Sequence, residues 1–384
     1  MKWEKKKLCE CTEYITDGDH QPAPKADKGV HFIKIKDIVN NQVSFDAQVY
    51  VPQEYYDNLP MERKPQKEDV LYTVVGSFGI PSYVQTDELF CFERNIALLH
   101  PNKDIEPRFL YYSLKNPAFY KGVEIVANGS AQKLIPLSKL KDLKISVPDK
   151  EAQRHIADIL SAYDDLIENN QKQIKLLEEA AQRLYKEWFV DLRFPGHENT
   201  KIVDGVPEGW RISSIYDVFD IKYGKNLPTS KITKAGQYPV YGASGVIGYY
   251  NEKNCDDYAT LVTSRGNGSG DVFRTHHKQS YITNNSFIAR RNDKNSFIEN
   301  EFTFQLFSNT DFKKLCTGSA QPQLTNTSIQ KIKILLPNRQ LIEKYQRCTI
   351  EMSEKQEALY QEQRALTHAR NRLLPKLMNG TVEV

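Results

Sequence analysis

The sequence contains an internal repeat, and this repeat limits the possible folds more than any other feature. The tetrapeptide Gly-Ser-Ala-Gln at residues 129–132 returns at residues 318–321, and 318 minus 129 gives an offset of 189. The same offset carries an apolar strand pattern at residues 140–148 onto residues 329–337. A pattern that recurs at a fixed spacing indicates that one supersecondary unit is used twice. We therefore predict two copies of one strand-rich unit, each followed by a long helix.

Upstream of the tetrapeptide the offset changes slightly, as loops of different length would cause. Residues 71–79 align with residues 261–269 at an offset of 190, and each segment predicts a buried strand followed by a glycine-rich turn. Trp3 aligns with Trp210 at an offset of 207. The two copies can therefore be compared position by position.

This organisation predicts an α+β fold with two strand-rich domains in pseudo-twofold repeat, separated by two long helices that form an antiparallel coiled coil. Segments rich in proline and glycine between the copies indicate a linker. The predicted boundaries are 1–150 for the first domain, 151–192 for the central helix, 193–209 for the linker, 210–338 for the second domain and 339–384 for the distal helix.

Both long helices carry a heptad pattern. In the central helix, the apolar residues from Ile156 to Trp188 step alternately by four and three residues, and only Asn170 interrupts them. The distal helix repeats an apolar residue every seven positions from Tyr345 to Leu373. Two such stripes in one chain most simply pair with each other, although packing on a domain or pairing with another subunit would also bury them.

Charge is distributed unevenly along a chain that is nearly neutral overall. Its 52 Lys and Arg residues against 49 Asp and Glu residues exclude a uniformly basic, histone-like protein. Residues 222–294 nevertheless hold eleven basic and five acidic residues, whereas residues 151–191 hold five basic and nine acidic residues. The basic stretch also contains tyrosines, the turn Arg-Gly-Asn-Gly at 265–268 and an Asn pair at 284–285. Arg, Asn, Gln and Ser side chains recognise base edges and Lys binds phosphates, so this combination favours DNA binding.

The motifs of enzymes that act on DNA are missing from this sequence. It holds no Asn-Pro-Pro-aromatic loop of a DNA methyltransferase, no GxxxxGK[ST] loop of a helicase, and neither a GxSxG nor an HExxH motif. The GxGxG at residues 266–270 is a weak nucleotide fingerprint, because no Rossmann helix pattern follows it. We expect no catalytic residue and no cofactor in this chain.

The spacing of the cysteines bears on metal binding, and the length of the apolar segments bears on the cellular location of the protein. The sequence has no CxxC pair and no His at zinc spacing, so we expect no metal site. Cys9 and Cys11, one residue apart, are expected on opposite faces of a strand. Because no run of eighteen apolar residues and no apolar signal-peptide core is present, we expect a cytoplasmic protein with no membrane span.

Local segments along the whole chain carry a resemblance to a known family. They are Ile-Ala-Asp-Ile-Leu at 156–160, Leu-Tyr-Lys-Glu-Trp-Phe at 184–189 leading to Phe-Pro-Gly-His-Glu at 194–198, the paired Gly-Ser-Ala-Gln tetrapeptides, and Leu-Pro-Lys-Leu-Met-Asn-Gly at 374–380. With these segments the chain resembles the specificity subunit of type I restriction-modification systems.

The resemblance implies a function in host defence. In that family each strand-rich unit is a target-recognition domain that recognises one half of a split double-stranded DNA sequence, and the helices form a spacer. The helices also bind two methyltransferase (modification) subunits, which hold S-adenosylmethionine, while restriction subunits add translocation and cleavage driven by ATP with Mg²⁺. The chain itself would then be non-catalytic. The alternative is a coiled-coil scaffold, or a module that binds RNA or protein through two similar domains.

By the resemblance, DNA contacts are expected from loops that correspond in the two copies. In the first domain the predicted contacts are Gly76, Ser77, Arg94, Asn95, Ser130, Gln132 and Lys133. In the second domain they are Tyr241, Ser244, Arg265, Asn267, Asn285, Ser319, Gln321 and Gln323. Val75 stands where the second copy has Arg265, so the two half-sites are expected to differ.

Overall fold

The computed structural model of the chain describes residues 2–127, 133–318 and 321–384. The chain divides into two compact units, and each contains strands together with parts of both long helices. Unit 1 comprises residues 1–168 and 364–384, and unit 2 comprises residues 169–363.

A four-stranded antiparallel sheet forms the centre of unit 1. Its strands, in spatial order, are Thr12–Asp17, Ile96–Pro101, Val70–Thr73 and Pro81–Tyr83. All four residues of Val70–Thr73 are buried, as the apolar run Val-Leu-Tyr predicts for a strand covered on both faces. The other strands are Tyr50–Val51, Val30–Ile33 and Phe90–Phe92 in a three-stranded sheet, Glu4–Lys7 paired with Lys144–Val147, and Ile38–Val39 paired with Gln42–Val43.

Short helices connect the strands of unit 1. They are Leu8–Cys11, Gln53–Asp57, Pro107–Lys115, Pro117–Val126 and Leu137–Asp142, with 3₁₀ turns at Ile35–Asp37 and Met61–Arg63. The first of these corrects the strand expected at Cys9 and Cys11, since the Glu10 carboxylate accepts a hydrogen bond from the Lys7 backbone N–H and caps a helical turn there. Cys9 is exposed and Cys11 is buried on that turn.

Unit 2 is built around an equivalent sheet. Its strands, in spatial order, are Phe219–Tyr223, Ser286–Arg291, Thr260–Thr263 and Val272–Arg274. The other strands are Val246–Tyr250, Tyr238–Tyr241 and Tyr281–Ile282 in a three-stranded sheet, Arg211–Ser214 paired with Lys333–Leu336, and Ile202–Val203 paired with Val206–Pro207. The short helices are Ile215–Val218, Asn300–Ser308 and Asn326–Ile329, with 3₁₀ turns at His197–Asn199, Thr229–Lys231, Asp293–Asn295 and Lys313–Leu315.

The two units repeat the same strand order, so the predicted fold class of two strand-rich domains is confirmed. In unit 1, Ile96–Pro101 lies between Thr12–Asp17 and Val70–Thr73. In unit 2, Ser286–Arg291 lies between Phe219–Tyr223 and Thr260–Thr263. In both units the last of these three strands leads into the glycine-rich turn. The residues predicted as a linker form the hairpin Ile202–Val203 and Val206–Pro207, and Phe194 is buried in the core of unit 2.

The long helices span Lys150–Tyr185, continued by a π-helical turn at Lys186–Val190, and Arg339–Met378. In unit 1, Ile156 and Leu160 pack in one core with Leu374 and Leu377. In unit 2, the Tyr345 hydroxyl donates to the Ala181 carbonyl at 3.1 Å. The helices thus contact each other within each unit, while a continuous coiled coil stays a prediction. Within the described residues, no helix has the length and apolar character needed to cross a membrane.

Candidate nucleic-acid interface

In unit 2, the glycine-rich turn after Thr260–Thr263 is held by three backbone hydrogen bonds from neighbouring segments. The Ser264 N–H donates to the Asn285 carbonyl at 2.8 Å, and the Leu324 N–H donates to the Ser264 carbonyl at 2.9 Å. The Gly266 N–H donates to the Pro322 carbonyl at 3.1 Å, with Gly266 at a φ of 88° that favours glycine. These bonds bring the turn, the Asn pair and the segment after the second tetrapeptide together.

The same three hydrogen bonds recur in unit 1. Val74 donates to the Asn95 carbonyl at 2.9 Å, Ile135 donates to the Val74 carbonyl at 2.9 Å, and Gly76 donates to the Lys133 carbonyl at 3.2 Å. Gly76 has a φ of 70°. The repeat found in the sequence is therefore a repeat of backbone hydrogen bonds, and it forms one loop cluster in each unit.

A hairpin turn extends the cluster of unit 2. The Thr263 hydroxyl donates to the Ala243 carbonyl, and the Ser286 hydroxyl donates to the Gly242 carbonyl at 3.0 Å. On another side, the Asn284 N–H donates to the Lys225 carbonyl at 3.2 Å. We call this continuous surface the second rim. Its exposed or half-buried polar side chains are Lys225, Ser244, Arg265, Asn267, Asn284, Asn285, Gln321 and Gln323.

The side chains of the second rim have no ion-pair or hydrogen-bond partner among residues 2–127, 133–318 and 321–384 of the protein. Arginine and amide side chains without such partners keep all their hydrogen-bond donors and acceptors available to a ligand. Such groups match the patterns that base edges present in the major groove, where Arg pairs with guanine and Asn or Gln with adenine. The arginine and amide side chains of the second rim are thus suited to direct recognition of bases, whereas the Lys225 ammonium is suited to a phosphate.

Tyr241 is the predicted contact that the structure corrects. It is 2% exposed, because it packs in a small core with Leu261 and Ile282. Its hydroxyl accepts a hydrogen bond from the His276 backbone N–H at 2.8 Å and bonds to the His277 ring at 2.7 Å. Tyr241 therefore belongs to the core and not to the second rim.

Among the described residues, the loop cluster of unit 1, which we call the first rim, carries fewer free polar groups. Ser77 and Arg94 are exposed, Asn95 is half-buried, and the Lys133 ammonium lies 5.5 Å from the centre of the Phe78 ring. Of the predicted contacts, Ser130, Gln132 and Ser319 lie outside the described residues. The remaining contacts predicted for the first domain come together in the first rim.

The position that Lys225 occupies in the second rim is acidic in the first. Asp19 forms a parallel backbone bridge with Glu93 in unit 1, and Lys225 forms the corresponding bridge with Thr283 in unit 2. Burial would raise the pKa of Asp19, but hydrogen bonds from the Gln21 backbone and the Tyr55 hydroxyl and the charge of Arg63 hold it below its ordinary value. The two rims therefore differ at one equivalent position, where Asp19 is paired with Arg63 at 3.1 Å and Lys225 has no ion pair among the described residues.

Lys225 and Asn284 are rim residues that are absent from the predicted contacts, although both lie in the basic stretch that favours DNA binding. The signal was present, because Gly224-Lys225 corresponds to Gly18-Asp19 at an offset of 206, close to the 207 that relates Trp3 to Trp210. In the part of the chain that the structure describes, no cluster of His, Cys, Asp and Glu could hold a metal ion.

Comparisons with known proteins give the relatives of this chain. A family model described as type I restriction modification DNA specificity domain matches residues 1–179 and 207–358. The specificity subunit of the type I restriction enzyme MjaIX from Methanocaldococcus jannaschii is 26% identical over 316 residues, covering 76% of this chain and 72% of that protein. The specificity subunit of the type I restriction enzyme HindI from Haemophilus influenzae is 24% identical, covering 92% of this chain and 94% of that protein.

A solved structure has a similar fold. The crystal structure of the S subunit of a type I restriction-modification system from M. genitalium matches with a TM-score of 0.60 and 20% identity, covering 98% of this chain and 96% of that one.

Proposed function

Because this chain belongs to the family of type I restriction-modification DNA specificity domains and contains that domain twice, we propose that it recognises a bipartite DNA sequence, with one half-site for each rim. The observation that carries the proposal is the loop cluster built by the same three backbone hydrogen bonds in both units. Two similar but unequal surfaces in one chain are suited to two different half-sites. Arg265 in the second rim, where the first copy has Val75, supports this difference.

The proposed partners complete the reaction that this chain does not perform. We propose that methyltransferase subunits bind its long helices and supply S-adenosylmethionine chemistry. Restriction subunits would add ATP- and Mg²⁺-dependent translocation and cleavage, and the complex would act in the cytoplasm. The support is the family membership together with the absence of catalytic motifs from the sequence.

Arg265→Ala tests recognition of the second half-site. In the complex reconstituted with its methyltransferase subunits, we expect this variant to lose about 1–3 kcal/mol of discrimination at one base position, because Arg commonly pairs with guanine through two hydrogen bonds. The measurements are duplex binding over a range of salt concentrations and a map of methylated bases. Wild-type binding should be specific for duplex DNA and should weaken steeply with salt.

The matched control is Arg211→Ala, which removes an exposed arginine of the same unit that has no partner among the described residues. This variant should keep the wild-type methylated sequence. Unchanged specificity of Arg265→Ala would contradict the role of the second rim. A wild-type complex that prefers RNA, or binds no nucleic acid, would contradict the proposed function as a whole.

Insertion of one heptad into each long helix tests whether the helices set the spacing of the half-sites. With seven residues added after Glu168 and seven before Arg364, each helix grows by about 10 Å at 1.5 Å per residue. We expect the unrecognised gap in the methylated sequence to lengthen by about three base pairs at 3.4 Å each. A seven-residue insertion at the turn between Asp204 and Gly205 is the control for added length outside the helices. A constant gap in the folded double-insertion variant would exclude this role.

A further inference from the structure

One face of the central sheet in unit 2 carries a group of cations. The strands Phe219–Tyr223 and Ser286–Arg291 pair so that Asp220 lies opposite Arg290 and Lys222 opposite Ile288. Neighbouring side chains of a strand point to opposite faces, and the intervening Ile221 and Ala289 are in the core. Lys222 and Arg290 therefore project from the face away from that core.

These cations line a cavity of about 290 Å³ in unit 2, which we call the cationic pocket. Its charged residues are Asp220, Lys222, Lys225, Arg290 and Arg291. Four cations against one carboxylate leave an excess of three positive charges on its walls. Like charges around one cavity repel each other, and an anion bound between them would remove that repulsion.

Ion pairs with other described residues neutralise little of this positive charge. Lys222 and Lys225 are exposed and form no ion pair there. Arg290 places Nη2 at 2.7 Å from the Cys255 sulfur, and its buried Nε has no hydrogen-bond partner. Arg291 reaches the Glu299 carboxylate only at 4.0 Å.

The cationic pocket adjoins the second rim. Lys225 lines the pocket, its N–H donates to the Ile282 carbonyl at 3.0 Å, and its carbonyl accepts from the Asn284 N–H at 3.2 Å. A duplex whose bases meet the second rim therefore brings its backbone close to the pocket. The anion that duplex DNA carries at regular spacing is the phosphate diester.

Unit 1 has different chemistry at the equivalent face. Residues Tyr14 and His100 occupy the positions of Asp220 and Arg290, and their rings stack at 4.9 Å. The His100 Nδ1 atom lies 2.6 Å from the buried Asp69 carboxylate. Asp19, in place of Lys225, is paired with Arg63 at 3.1 Å, so this face lacks the unpaired lysine of unit 2.

We propose that the cationic pocket is a DNA phosphate-binding site that belongs to the second domain alone and contributes affinity without sequence preference. This proposal rests on the proposed function, because it takes duplex DNA as the ligand of the second rim. A phosphate contact positions the duplex, whereas base contacts determine the sequence. The pocket therefore strengthens the binding of the second half-site and makes that binding depend more steeply on salt.

Lys222→Gln combined with Lys225→Gln tests the pocket. Both lysines are exposed and unpaired in the described structure, so their removal leaves the fold of unit 2 intact. In the reconstituted complex, using a duplex that carries the sequence methylated by the wild type, the slope of log affinity against log salt should fall by about 0.9 for each lost phosphate contact. Affinity for duplexes with changed half-sites should fall by the same factor, and the methylated sequence should not change.

Lys331→Gln combined with Lys333→Gln is the matched control, since it removes two exposed lysines of unit 2 that also have no ion pair among the described residues. A salt slope of the pocket variant equal to the slopes of wild type and control would overturn the pocket while leaving the proposed function standing. A changed base preference at the second half-site would also overturn it, because the lysines would then contact bases. Absence of duplex binding by the wild-type complex would overturn both.

Discussion

Arg274→Met is expected to lower the free energy of unfolding of unit 2 by about 4 kcal/mol, because it leaves a buried carboxylate without its cation. Arg274 is 17% exposed and lies 2.6 Å from Glu301 Oε2, whose side chain is 6% exposed. It also lies 3.2 Å from Glu178 and 2.9 Å from the Gln356 amide oxygen, both on the long helices. Urea unfolding followed by tryptophan fluorescence measures the loss, since Trp188 and Trp210 lie in this unit.

Arg339→Met is a closely matched control for this prediction. Arg339 forms an ion pair of 2.7 Å with Glu343 and lies 5.0 Å from a phenylalanine ring, much as Arg274 lies 4.5 Å from one, but it is 68% exposed. An exposed pair contributes about 0–1 kcal/mol. Adding Glu301→Leu to Arg274→Met should recover most of the lost stability, because no buried charge is then left unpaired. Equal destabilisation by the two arginine variants would contradict the assigned role of Arg274.

Arg274 also shows where charge counting along the sequence fails. The basic stretch at residues 222–294 contains it, and the sequence predicts a DNA surface from the total. In the structure its charge is neutralised by Glu301, which lies outside that stretch, and by Glu178 in the acidic central helix. Such pairing joins residues far apart in the sequence, so no local pattern reveals which cations remain free.

The repeat, by contrast, was a sound guide to the fold. The offsets of 189 and 190 relate segments that form the same strands in both units, and the family match confirms the predicted resemblance. The heptad pattern also predicted buried positions, since Ile156, Asn170 and Ala181 are all buried in the central helix. Periodicity succeeds here because burial of one face imposes it on the sequence.

The candidate site was predictable only as a set of loops. Sequence correspondence identified Gly76 and Gly266 as equivalent turns, and the structure gives them equivalent hydrogen bonds. The burial of Tyr241 was not predictable, because tyrosine in a basic stretch is equally consistent with stacking on bases and with packing in a core. Which rim residues contact bases stays a prediction.

Asp164→Asn is expected to destabilise unit 1 by about 3 kcal/mol at pH 7, because two partly buried cations lose their shared carboxylate. Asp164 accepts a hydrogen bond from the Tyr112 hydroxyl at 2.9 Å, lies 3.2 Å from the Lys115 ammonium, and pairs with Arg370 of the distal helix. The side chains of Asp164, Lys115 and Arg370 are 24%, 15% and 15% exposed. Burial raises the pKa of Asp164, but Lys115 and Arg370 more than offset this and hold it below its ordinary value.

The direction of the pKa shift fixes how this stabilisation depends on pH. A carboxylate whose pKa is lower in the folded state stabilises that state fully above its unfolded pKa, which is about 3.9, and loses the contribution as the pH falls through the folded pKa. The difference in free energy of unfolding between wild type and Asp164→Asn should therefore be constant from pH 7 to about pH 5 and shrink below about pH 4. Urea unfolding at a series of pH values measures it.

Asp158→Asn on the same helix is the control for the destabilisation by Asp164→Asn, because it also removes one negative charge. Asp158 lies 2.7 Å from Arg108, but its side chain is 59% exposed, so its loss should cost less than about 1 kcal/mol. If Asp164→Asn were no more destabilising than this control, or if its effect did not diminish below about pH 4, Asp164 would not be the ionised centre of the contact. With the expected result, the contact between the first domain and both long helices depends on one carboxylate that stays charged at physiological pH.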